Sequence, residues 1–286
     1  MKKIRVQLQG GLGNQLFIWA MAHELERIYG CEVQIKYVRD KLQREDRPVE
    51  IYSLLQHCNH AISIIESKNL GLILRIIDKA VKHSKLIGRI CQKVFGIYDC
   101  QSSSEIPNFA GKRLRMLRGY FQNVEMVERN SSVILEELGT ALEMISARFL
   151  ENDTTVIHIR RGDTKVISES WGVLSSSYYL KIVDQTKSIV ICSDDDSISR
   201  LFAGEFPNAI FFSPSNSSTW ESLKILISGD QLIMANSTLS WWAGWLKAKK
   251  DPKSVFFPDP WRPLERITFE NLKLNSVNFC TAEFEV

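Results

Sequence analysis

Ile4, Val6 and Leu8 alternate with Arg5, Gln7 and Gln9, the period of two that predicts a strand. Gly10-Gly11-Leu12-Gly13-Asn14-Gln15 follows, and apolar Leu16, Phe17, Ala20, Leu25 and Ile28 then fall at helical spacing until Gly30 stops them. Val33-Gln34-Ile35 begins a second strand. Strand, glycine turn, helix and strand predict a βαβ start to an open parallel sheet. Residues 40–60 or so are polar and read as loop, with a turn at Asp46-Arg47-Pro48. From Asn69 to Phe95 the pattern is helical. Ile73, Ile76, Ile77, Ala80, Ile87 and Cys91 share one face, while Arg75, Lys79, Lys82, Lys85, Arg89 and Lys93 lie largely on the other. Leu114 to Phe121 reads as a strand, and Glu125 to Phe149 as helix interrupted near Gly139.

A polar break at Glu151-Asn152-Asp153 precedes a β-branched run, Val156, Ile157 and Ile159, which reads as a buried strand. Beyond it the pattern alternates, with strands at 188–192, 209–212, 231–235 and 254–257 and helices at 176–186, 196–203, 218–228 and 239–248. The expected fold is α/β, with two Rossmann-like domains facing a cleft. The first covers 1–152 with a helical insertion at about 52–96, and the second covers 153–286, its last helix free to pack back on the first. Ligands of such sheets bind beyond the C-terminal strand ends.

Composition narrows the function classes. With 44% hydrophobic and 24% charged residues the chain reads as an ordinary soluble protein, and a net charge of +3 gives no argument for nucleic acid. The six cysteines form no CxxC pair, which suggests packed, reduced thiols in a cytoplasmic protein. His57-Cys58-Asn59-His60 lacks a second ligand pair for zinc. The N-terminus carries no apolar signal core, and no window reaches the ~18 apolar residues of a membrane span.

The candidate chemistry sits at strand ends. His158-Ile159-Arg160-Arg161-Gly162-Asp163 closes a strand with two adjacent arginines, which suits either a bidentate anion grip or an ion pair with Asp163. Gly11 and Gly13 let backbone approach a ligand at a helix N-terminus. Leu16 stands where a dinucleotide fingerprint needs its third glycine, the second strand runs into Lys36 and Tyr37, and no GxxxxGK[ST] is present. Asp194-Asp195-Asp196 suits a helix cap, a metal site or a carboxylate reading guanine. Asn236-Ser237-Thr238-Leu239-Ser240 caps a helix and offers donors to a diphosphate, with Glu221 a further candidate for the base. Trp241, Trp242 and Trp245 suit packing better than sugar stacking.

Four blocks stand in order: Gly10 to Phe17, His158 to Asp163, Ser193-Asp194-Asp195, and Asn236 to Trp242. Together they resemble the soluble bacterial α-1,2-fucosyltransferases of glycosyltransferase family 11, and Gly119-Tyr120-Phe121-Gln122 resembles a further family segment. The resemblance implies a GT-B enzyme that transfers L-fucose from GDP-β-L-fucose, with inversion, to the 2-hydroxyl of a galactose. It implies no cofactor and no metal, and an acceptor that is a galactose-terminated oligosaccharide, free or lipid-linked. Carried over, Arg160 grips the diphosphate, Arg161 supports it by salt bridges or a second phosphate contact, and His158 contacts the nucleotide. Asn14 reaches toward phosphate or fucose, Ser237, Thr238 and Ser240 bond the diphosphate, and Asp194 or Asp195 holds the nucleotide pocket. Asp163 is the candidate base, or else a brace for the arginines. Thr164 stands where the family usually has tyrosine, and Ser222 and Leu223 stand where many members carry an aspartate. Other nucleotide-sugar transferases and a non-catalytic GDP- or glycan-binding module are the alternative readings. The 69–95 stretch reads either as amphipathic helices whose apolar face is buried on the core or as a basic face resting on the inner, anionic face of a membrane.

Overall fold

The computed structural model describes residues 3–37, 49–56, 62–66, 96–100, 116–146, 153–162, 172–198, 202, 204–263 and 270–285, with single positions 79, 84, 86, 87, 90 and 94. The chain divides into two compact units, Met1–Ala141 and Leu142–Val286.

The first unit holds a parallel sheet of β1 (Lys3–Gln7), β2 (Glu32–Tyr37), β3 (Ile62–Glu66), β4 (Ile97–Asp99) and β5 (Met116–Arg118). Their order is β3-β2-β1-β5-β4. Helix α1 (Leu12–Tyr29) carries the chain from β1 to β2 and is buried from Leu12 to Leu25 at every position but Asn14. Its end is fixed by Gly30, which takes a left-handed φ of +56° and donates its N–H to Glu26 O. β3 corrects the expectation of a purely helical insertion: Ile62, Ser63 and Ile64 extend the sheet beside β2 instead.

After the short helix α2 (Tyr52–Leu55), a buried polar knot pins α1 to α3 (Val124–Arg129) and α4 (Ser131–Glu143). The Glu24 carboxylate, 1% exposed, accepts from Arg27 Nε at 2.9 Å, Arg129 Nε at 2.9 Å and Asn130 Nδ2 at 2.8 Å. Burial pushes its pKa up, and these three donors together outweigh burial and hold it below the usual carboxylate value. Beside it, buried His23 Nε2 lies 3.2 Å from Glu137 Oε2. The helix break falls at Asn130, not at Gly139. Asn130 Nδ2 also donates to Met126 O, whereas Gly139 lies inside α4 where an added Cβ would meet nothing.

Within 69–95, positions 79, 86, 87, 90 and 94 are helical. Ile87 was expected on a buried face but is 52% exposed, together with Leu86, Ile90 and Val94. Ser84 precedes them, its Oγ accepting the Ile87 N–H at 3.4 Å in an N-cap contact. Residues 57–60 and the remaining basic positions apart from Lys79 lie outside the described residues.

The second unit carries a parallel sheet of β6 (Thr154–Ile159), β7 (Ser188–Ser193), β8 (Ile210–Phe212), β9 (Gln231–Ile233), β10 (Val255–Asp259) and β11 (Asn278–Thr281). The order is β11-β10-β9-β6-β7-β8, the doubly wound Rossmann arrangement with β6 as its first strand. Every residue of β6 is buried, as its β-branched run requires. β11 was not expected from the sequence, because Asn278-Phe279-Cys280-Thr281 is a half-exposed edge strand with little apolar signal. Helices are α5 (Ser176–Leu180), α6 (Thr219–Ser228) and α7 (Thr238–Ala248). α5 is shorter than the expected 176–186, because Asp184 Oδ1 takes the N–H and hydroxyl of Thr186 in a turn. In α7, Trp241, Trp242 and Trp245 are buried and pack edge to face, and Trp241 Nε1 donates to Leu272 O at 2.6 Å. These indoles are core. Among the described residues no helix is long and apolar enough to cross a membrane.

Candidate functional site

The strand order of the six-stranded sheet reverses between β6 and β9, the position at which sheets of this kind form a ligand crevice at the C-terminal strand ends. β6 delivers Arg160, Arg161 and Gly162 to it. β9 delivers Met234 to Ser237 and the start of α7, and β7 delivers Asp194, Asp195 and Asp196.

The three aspartates face three ways. Asp194 Oδ1 accepts the backbone N–H of Arg161 at 2.7 Å and of Gly162 at 3.0 Å, while Oδ2 pairs with Arg160 Nε at 3.0 Å. One carboxylate therefore holds both the turn and the first guanidinium. Gly162 is required by this closeness: a Cβ there would sit 2.7 Å from Asp194 Oδ2. Asp195 Oδ1 caps Ser197, and Asp196 Oδ1 accepts from Ser213 Oγ at 2.5 Å and Ser215 N at 3.1 Å. The hydroxyl and N–H donors of Ser213 and Ser215 hold Asp196 below the usual carboxylate pKa. Among the described residues no group of three His, Cys, Asp or Glu is arranged to hold a metal.

Arg161 pairs with Glu285 through both Nη groups, Nη2 at 2.9 Å from Oε2. Asp163 lies outside the described residues.

His158 is 2% exposed, and its Nδ1 makes no hydrogen bond among the described residues. Burial lowers its pKa to about 4. Asp194 pulls the other way, and Arg160 adds to the depression. At neutral pH it is therefore an uncharged imidazole. Its register partner on β7 is Cys192, which Ser222 of α6 bonds. Burial pushes that thiol up to about 12.

Ser237 is the N-cap of α7 and makes no side-chain capping bond, and Thr238 opens the helix. Ser240 is fully buried and its Oγ accepts the Ala235 N–H at 3.0 Å, so it braces the turn into α7. Asn236 Nδ2 donates to Gly172 O at 3.0 Å. Glu221 forms a capping box with Ser218: its Oε2 accepts Ser218 N–H at 2.6 Å, and its own N–H reaches Ser218 Oγ at 3.2 Å. Its carboxylate therefore caps the start of α6.

The first unit has its own switch point between β1 and β5. Gly10 turns with a φ of +76°, where a Cβ would clash with Asn14 at 2.7 Å. Asn14 Oδ1 accepts from Gln122 Nε2 at 2.9 Å, which joins the glycine loop to the segment after β5. Gly11 is the N-cap of α1 and Gly13 is buried in its first turn. The Leu12 N–H at that helix start donates to Glu50 Oε2 at 3.0 Å, so a carboxylate of the chain itself sits where an anion was expected.

Sequence reasoning missed Glu285, Glu50 and the Asp194 contacts to backbone, since none of these partners is near in sequence. Asp194 braces the Arg160-Arg161-Gly162 turn.

Comparisons with known proteins identify the family. The O-antigen biosynthesis glycosyltransferase WbnK of Escherichia coli is 26% identical over 89% of this chain and 93% of its own. The alpha-1,2-colitosyltransferase of Escherichia coli is 25% identical over 98% and 97%. Among solved structures, the fucosyltransferase NodZ from Bradyrhizobium aligns at 12% identity, covering 86% of this chain and 94% of that one, with a TM-score of 0.47. The model of Glycosyl transferase family 11 matches residues 3–259, and the chain belongs to that family.

Proposed function

We propose that this glycosyltransferase transfers L-fucose from GDP-β-L-fucose to the 2-hydroxyl of a galactose in a glycan, with inversion and without a metal. The observation that carries the reading is the Arg160-Arg161-Gly162 turn, braced by Asp194 and set at the sheet's switch point beside the N-terminus of α7. As the bond from the anomeric carbon to the β-phosphate oxygen breaks, negative charge grows on that oxygen and the sugar becomes oxocarbenium-like. A guanidinium held in place by Asp194 stabilises that charge without reorganising. The donor N–H groups and hydroxyls at the start of α7 add to it. The acceptor oxygen bonds to the anomeric carbon on the opposite face, its proton passes to a carboxylate, and GDP departs. Asp163 is our candidate for that carboxylate, and His158 and Asn14 for nucleotide and donor contacts. The second unit takes the donor in this reading, and the first takes the acceptor.

A second donor is favoured by one comparison, since the relative named alpha-1,2-colitosyltransferase moves a colitosyl group. The test is incubation with GDP-fucose, GDP-colitose, GDP-mannose or UDP-galactose and a set of β-galactosides, with the product linkage read by NMR. An α-1,2-fucosyl product formed equally well in EDTA is expected. Preference for another donor, or activity lost in EDTA and restored by Mn²⁺, would overturn the corresponding part. Near-normal kcat in Asp163→Asn would remove Asp163 from the base role.

A lipid-linked acceptor would bring the protein to a membrane. Helical Leu86, Ile87, Ile90 and Val94 expose apolar side chains, and Lys85, Arg89 and Lys93 stand one position before Leu86, Ile90 and Val94 in sequence. That pattern suits an anionic lipid surface. Co-sedimentation with phosphatidylglycerol-containing vesicles, but not with phosphatidylcholine alone, is expected, and equal recovery with both would count against it.

A further inference from the structure

Beyond the residues that the family model matches, residues 282–285 run alongside 173–175. Glu285 N–H donates to Val173 O at 2.7 Å, Ser175 N–H donates to Glu283 O at 2.8 Å, and Leu174 and Phe284 form an antiparallel bridge. Phe284 packs on the core cluster that includes Leu174 and Tyr178. It also lies hard on Gly172, where a Cβ would sit 2.5 Å from its Cδ1. The Glu283 carboxylate accepts from Ser177 Oγ and pairs with Lys181. The segment is therefore anchored by backbone, by an aromatic side chain and by one carboxylate before its next side chain, Glu285, meets Arg161.

That meeting is fork on fork: two carboxylate oxygens take both Nη groups, which fixes the plane of the guanidinium as well as its position. Arg161 is 15% exposed on its side chain and Glu285 37%, so the pair is sheltered from water on the arginine side. The backbone N–H of the same arginine is held by Asp194. Arg161 is thus gripped at both ends, by two carboxylates from different parts of the chain.

We propose that Glu285 is a positioning residue for donor binding. It keeps the Arg161 guanidinium in the brace, so that the turn beside Arg160 is rigid and Arg160, not Arg161, takes the diphosphate. This rests on the reading of the crevice as a nucleotide-diphosphate site. The competing arrangement, in which Glu285 stands in for a phosphate and yields Arg161 to the donor, has the opposite sign: removing the carboxylate would then tighten binding. The brace is favoured by the ties on 283–285, which hold the Glu285 backbone against Val173 and leave its side chain a short reach to Arg161.

Titration calorimetry with GDP distinguishes the two. It is run on the wild type, Glu285→Gln, Glu285→Asp, Arg161→Ala and the Glu285→Gln/Arg161→Ala double variant, each first shown by circular dichroism to be folded. A brace predicts that Glu285→Gln weakens GDP binding about five- to tenfold and that Glu285→Asp recovers most of it. The double variant should then bind no worse than Arg161→Ala alone. Unchanged or tighter binding in Glu285→Gln would overturn the proposal, as would losses that multiply in the double variant. Absence of GDP binding by the wild type would overturn the nucleotide reading, and this inference with it.

Discussion

Arg160 and its neighbours show how much one carboxylate organises. Asp194 touches the guanidinium of Arg160 and two backbone N–H groups of the same turn, so the charge we propose for the leaving phosphate is held in place by the chain itself. Arg160→Ala should lower kcat by about 10²–10³, the usual result of deleting one preorganised charge donor. Arg161→Ala should lower it less, since that side chain is held by Glu285. Wild-type turnover in Arg160→Lys would count against a bidentate grip. The pairing of two arginines was visible in the sequence, but its partners were not. An acidic triplet contains no sign of which carboxylate turns inward, and here only Asp194 does. His158 gives a pH dependence of its own. Its folded pKa of about 4 lies below the ordinary imidazole value of 6.5, so the native state keeps it neutral where the unfolded chain protonates it. That contribution to stability is full above pH 6.5 and is lost as the pH falls toward 4, up to about 3 kcal/mol. Urea unfolding at pH 7.5 and pH 4.5 should show this loss, and His158→Gln should show a smaller one. Equal losses in both proteins would mean that other groups carry the effect.

At the scale of elements, patterns set by many residues were legible, and those set by one contact were not. The βαβ start, the buried β6, the strands β7 to β10 and the helices α6 and α7 all follow from periodicity and turn chemistry. The helix break at Asn130 does not, because it depends on Glu24, Arg129 and Asn130 meeting across more than a hundred residues of chain. β11 escaped for a related reason: an edge strand with one exposed face has little periodicity to read. The same knot predicts which substitution loosens the first unit. Glu24 is buried and satisfied by three donors, whereas Arg27 and Arg129 are each about half exposed. Glu24→Ala should therefore destabilise by about 2 kcal/mol, with a fall of roughly 4–8 °C in melting temperature. Arg27→Ala should stay within about 0.5 kcal/mol. A calorimetric scan of both variants checks the contrast, and equal shifts would show that the buried carboxylate is not the centre of the knot.

The whole molecule is two compact units with separate parallel sheets, and all the residues proposed for the donor except Asn14 gather in the second. Its Arg160 turn, Asp194 and the start of α7 all belong to residues 142–286, as does the Glu285 brace. The glycine loop and Asn14 belong to the first unit, where Asn14 is bonded to Gln122 and the α1 N-terminus to Glu50. A ligand stabilises what it binds in proportion to the logarithm of its concentration over Kd, about 2.7 kcal/mol at a hundredfold excess. GDP should therefore act unequally on the chain. In differential scanning calorimetry two unfolding transitions are expected, and saturating GDP should raise one by several degrees and leave the other nearly still. The two can be assigned by substitution, since Glu24→Ala lowers the first unit's transition and His158→Gln alters the pH dependence of the second. If GDP moves the transition that Glu24→Ala lowers, the nucleotide site lies in the first unit, and the assignment of the Arg160 turn to the diphosphate fails. If GDP moves only the other, the donor site is carried by the Rossmann unit that begins with β6.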